Sequence, residues 1–145
     1  MNVYGFLILT AGLVLGSQSD LDKLQGSWRT VSLVNDGKRL VGEGVPPRPG
    51  PATALSYEGD RWLIKVGGKT VASGIFKIDA AKVPKEIDVL DESGMKNDKT
   101  KLGIYELEGD RYTYCLAPSG KPRPTEFASP EGSGYSLGVS EREKL

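Results

Sequence analysis

The chain has 145 residues, with Lys plus Arg and Asp plus Glu balanced at 19 each and no histidine. Balanced, interspersed charge argues against a nucleic-acid surface, which needs clustered cations. The lack of histidine removes Ser-His-Asp and Cys-His catalysis, the commonest general base near neutral pH, and the usual zinc ligand sets.

Residues 1–19 carry no Lys, Arg, Asp or Glu, and Val3 to Leu15 is almost wholly apolar. Those 13 residues fall short of the roughly 20 needed to span a bilayer and match the apolar region of a signal peptide. Ser17 and Ser19 form a small-x-small pattern, which places cleavage before Asp20. No Cys directly follows the apolar run, so a lipoprotein anchor is not expected. The expectation is a signal peptide over 1–19, an extracytoplasmic (periplasmic or secreted) location, and one domain over 20–145 with no membrane span in its mature form.

Asp20 to Gly26 has early acids, apolar residues three apart and a terminal Gly, predicting one or two helical turns capped by Ser19 or Asp20. Strands follow. Trp28 to Val34 ends at the turn signal Asn35-Asp36-Gly37, and Lys38 to Val41 pairs back. Gly42 to Pro51, rich in Pro and Gly, reads as a stiff loop, either a connector or a lid. Ala54 to Glu58 and Arg61 to Val66 form a hairpin around Gly59-Asp60, with Trp62, Ile64 and Val66 on one face. Thr70 to Ile78 puts Ala72, Gly74, Phe76 and Ile78 together, and Glu86 to Leu90 turns Ile87 and Val89 inward. Asp91 to Asp98 is a polar loop. Lys101 to Leu107 and Arg111 to Ala117 form a hairpin around Gly109-Asp110. Tyr135 to Ser140 closes the domain, with Tyr135, Leu137 and Val139 on one face.

Glu58-Gly59-Asp60-Arg61-Trp62 and Glu108-Gly109-Asp110-Arg111-Tyr112 are near-copies. They read as one hairpin chemistry used twice, which makes Asp60, Arg61, Asp110 and Arg111 turn and surface residues. Eight or nine closely spaced strands describe a sandwich or an up-and-down barrel, and closure removes exposed strand edges.

Leu24-Gln25-Gly26-Ser27-Trp28, with Gly26 and Trp28 as its structural motif, combines with Gly103-Ile104-Tyr105-Glu106-Leu107-Glu108-Gly109-Asp110 and Gly120-Lys121-Pro122-Arg123-Pro124-Thr125-Glu126-Phe127. Together they resemble a family of uncharacterised lipocalin-like domains found mainly in planctomycete proteins, over about Leu24 to Val139. The resemblance implies an all-β fold: a single lipocalin-like up-and-down antiparallel barrel of about eight strands, with a short N-terminal helix before it. The family has no established activity, ligand or catalytic residue. Lipocalins also stack a late Arg on the Gly-x-Trp indole. Arg142 is the candidate by position, but alternation puts it on the face opposite Tyr135, Leu137 and Val139.

Trp28, Trp62, Phe76, Tyr105, Tyr112, Tyr114 and Tyr135 are candidates to line an interior. An eight-stranded barrel has room for side chains or one small ligand. Large aromatics favour the filled version, with an open pocket as the alternative. Arg123 offers its planar fork to a carboxylate or phosphate, or else pairs with Glu126 and pins its loop. Cys115 reads as a small buried hydrophobe, or as a reactive or intermolecularly paired thiol. Trp62, Phe76, Tyr105, Tyr114 and Arg123 are the ligand-binding candidates. No catalytic residue, metal site or cofactor is expected. The function expected is a non-catalytic, monomeric binding module for a small apolar ligand. The alternative is a protein-interaction or structural module with a filled core that acts through its loops.

Overall fold

A computed structural model describes residues 19–91 and 100–144. The expected signal peptide, except Ser19, and the polar loop, except Asp91, lie outside the described residues. The helix α1 spans Asp20–Leu24 and is capped by Ser19, whose Oγ accepts from the Asp22 N–H at 3.2 Å. The strands are β1 (Gly26–Asn35), β2 (Lys38–Val41), β3 (Thr53–Glu58), β4 (Arg61–Val66), β5 (Lys69–Asp79), β6 (Lys85–Asp91), β7 (Thr100–Glu108), β8 (Arg111–Leu116) and β9 (Ser136–Arg142).

From β3 onward each strand pairs antiparallel with the next, and β1 joins β3 on one edge and β9 on the other. That last pairing closes eight strands into an up-and-down barrel. The short β2 folds back on the far end of β1 through Asp36 (φ 51°) and Gly37 (φ 79°), the two left-handed residues of a type I′ hairpin. A bulge between Thr30 and Ser32 resets the alternation in β1. Trp28, Thr30 and Leu33 therefore all face inward.

One end of the barrel is sealed. Trp28 is fully buried, and its Nε1 donates to Leu24 O at 2.8 Å. Arg142 is register-paired with Trp28, its Cζ 4.3 Å from the indole centroid. It also donates to Gln25 O at 2.8 Å and to Lys23 O. Three carbonyls at the C-terminal end of α1, which lack partners within so short a helix, are thus satisfied by the indole and the guanidinium. Asp20, on the first turn, accepts from Lys85 Nζ and Tyr105 Oη, each at 2.8 Å. Both near-copy turns sit at this end: Gln25 clasps the backbone of Gly59, and Asp110 pairs with Arg142.

Arg142 thus occupies the position that alternation in β9 argued against. The inward row is Gly138, Ser140 and Arg142, matched across the sheet to Tyr114, Tyr112 and Trp28. Leu137 lies on the outer face, in a row with Cys115 and Ile104. The outer face is apolar there because the segment 117–135 crosses it. Cys115, fully buried, donates from Sγ to Ala128 O at 3.3 Å. Tyr135 is outside too, its Oη donating to Pro122 O. The strap is fixed at its far end to the β1–β2 turn, where Asp36 Oδ1 accepts from Gly134 N and Ser129 Oγ accepts from Gly37 N.

Candidate functional site

The inward rows enclose a cavity of about 300 Å³, open at the end away from α1. Leu55, Tyr57, Trp62, Ile64, Ile87, Val89, Tyr112, Tyr114 and Leu116 line it, with Thr30, Leu33, Thr53, Asp91 and Lys101 completing the wall and rim. The aromatics do not fill the barrel, and the reason is local. Trp62 lies across Gly74, its partner on β5, and reaches β6, where its Nε1 donates to Leu90 O at 3.0 Å. A Cβ on Gly74 would sit 2.6 Å from that nitrogen and 1.9 Å from Leu90 O. Tyr114 lies over Gly138, where a Cβ would come within 2.3 Å of its Cζ. Leu116 lies over Gly103 in the same way, 2.4 Å from the missing Cβ. Three large side chains thus lie along the wall instead of crossing the lumen, each over a strand position that has no side chain.

The floor is a ring cluster. Tyr112 touches Trp28, Tyr57, Tyr105 and Tyr114 at centroid distances of 5.5, 5.7, 6.5 and 5.4 Å. Tyr57 stands edge-on to Phe76 at 4.7 Å. The hydroxyls of Tyr57 and Tyr112 share a buried 2.7 Å hydrogen bond. Burial pushes the pKa of both phenols, and that of Tyr114, above the ordinary value, so they stay neutral across the physiological range.

Of the sequence candidates, Trp62 and Tyr114 line the lumen. Phe76 is packed behind Tyr57 in the core. Tyr105 belongs to the sealed end, where it donates to Asp20. Arg123 is outside the barrel and does not pair with Glu126. Its Nη2 lies 2.8 Å from Asp88 Oδ1, an ion pair too poorly directed to count as a hydrogen bond, and its Nε lies 3.6 Å from Glu86. Nη1 donates to the carbonyls of Ile87 and Gly103. The fork is thus spent on pinning the strap to β6 and β7. Tyr57 and the small threonines were missed from the sequence. Register opposite Trp62 was the available signal for Tyr57, since facing residues of a hairpin share a face.

A wider hollow of about 590 Å³ on the outer surface is lined by Arg29, Asp110, Arg111, Glu141 and Arg142 among others. Its charges largely pair with one another, as in Arg29–Glu141 at 3.2 Å and Arg142–Asp110 at 3.4 Å. Among the described residues no group of three or more Cys, Asp or Glu is placed to hold a metal ion, and no helix is long and apolar enough to cross a membrane. Compared with protein families, curated proteins and solved structures, the chain finds no match.

Proposed function

We propose that this protein is an exported, non-catalytic binding module that takes up a small apolar molecule through the open end of its barrel. The observation that carries this reading is the lumen: about 300 Å³, apolar over most of its wall, sealed at one end and open at the other. That volume lies at the small end of pockets that enclose organic ligands. The apolar, uncharged residues 1–19 support export. The competing idea, a loop-based interaction module, rests on a filled interior, and the lumen speaks against that.

The test is titration with the uncharged dye N-phenyl-1-naphthylamine, followed by fluorescence. One site per chain is expected, with emission blue-shifted, and Val89→Trp, which fills the lumen from its wall, should abolish it. Absence of binding to a correctly folded chain, or binding indifferent to Val89→Trp, overturns the reading.

A further inference from the structure

The base of the lumen is more polar than an apolar guest needs. Tyr57 and Tyr112 have two hydroxyl protons between them, and their mutual hydrogen bond uses one. Tyr114, part-buried in the same wall, has no hydrogen-bond partner among the described residues. Ser140, fully buried and paired in register with Tyr112, has an Oγ with no partner. Four hydroxyls, three of them bordering the lumen, therefore share a single hydrogen bond. Buried donors are nearly always satisfied, so such a surplus calls for an acceptor from outside the chain.

The charge at this level is equally specific. The cations nearest the floor are engaged elsewhere: Lys85 with Asp20, and Arg142 with α1 carbonyls and Asp110. Lys101 and Asp91 belong to the rim. An anionic group would thus meet phenols and aliphatic side chains at the floor, with no cation to offset its loss of water.

We infer that the lumen selects an uncharged molecule with an apolar body and one acceptor oxygen, of ketone, ester or ether type, whose oxygen seats on the hydroxyl pair of Tyr57 and Tyr112. This rests on the reading of the barrel as a binding module and narrows it to a ligand class. Because burial keeps the phenols protonated, they remain donors throughout the physiological pH range.

The test compares three probes of one skeleton by calorimetry: 1-tetralone, tetralin and tetralin-1-carboxylate. The ketone should bind about five- to tenfold tighter than the hydrocarbon, the scale of one neutral hydrogen bond, and the carboxylate should bind weakest. In Tyr57→Phe/Tyr112→Phe the ketone's advantage should disappear while tetralin binding persists. The wild-type comparison stands even if that double variant does not fold. Equal binding of ketone and hydrocarbon, or preference for the carboxylate, overturns the inference and leaves the binding-module reading intact. If none of the three binds and the naphthylamine dye does not bind either, both fall.

Discussion

Truncating Trp28 to alanine is the sharpest probe of the sealed end. The indole is completely buried between Leu24, Tyr112 and the Arg142 guanidinium. Removing a buried Trp costs about 3–5 kcal/mol through lost transfer energy and the cavity left behind. The change also orphans Leu24 O, worth about 1 kcal/mol, and ends a cation–π contact worth about 0.5–2 kcal/mol. These terms overlap, so the upper half of the 3–5 range is expected. That is a large part of the roughly 5–15 kcal/mol available to a domain. Urea unfolding followed by circular dichroism measures it, with Trp28→Phe as the control. Phe keeps most of the ring and loses the N–H, so about 1–2 kcal/mol is expected there. Arg142→Met should couple to Trp28→Ala by about 0.5–2 kcal/mol in a double-mutant cycle. A loss below about 1 kcal/mol for Trp28→Ala would refute the plug, because a fully buried indole cannot be removed so cheaply.

Two further outcomes test the same framework. Burial acts to raise the Asp20 carboxyl, but its hydrogen bonds from Lys85 and Tyr105 outweigh that and hold it below its ordinary value. A depressed carboxylate stabilises the fold above its unfolded-state value, about 3.9, and loses that contribution as pH falls through the folded-state value. Asp20→Asn should therefore be less stable than wild type at pH 7, with the gap narrowing as pH falls below the unfolded-state value; parallel stability curves would reject the assignment. Gly138→Ala should force the Tyr114 ring off the wall, costing about 1–3 kcal/mol and weakening dye uptake. Wild-type affinity in this variant would mean that the ring does not depend on that glycine.

Much of the fold was legible because turns and strands announce themselves locally. The Asn35-Asp36-Gly37 turn, the two Gly-Asp hairpins and the inward rows of β4, β5 and β6 follow from period-two alternation and turn chemistry. β9 was misread for a physical reason. Its apolar residues Leu137 and Val139 face outward, Leu137 in the row beside the strap, while small Gly138 and Ser140 face the lumen. Alternation reports which face is dry, and here both faces are. The lumen was hidden for a related reason. An aromatic count predicts a filled interior unless each ring is matched to the glycine it lies over. Those matches, Trp62 with Gly74 and Tyr114 with Gly138, depend on register. Arg123 was misassigned because its partners Glu86 and Asp88 lie more than thirty residues away, out of reach of any local reading.

The ring of strands is completed by β9, and the clamp beneath it joins α1 to Arg142, near the two ends of the described region. A growing polypeptide therefore cannot close this barrel until β9 has been made. Until then β1 and β8 are bare margins, open to pairing with other chains. Loss of β9 would be expected to yield sticky, unfinished sheets in place of a closed vessel.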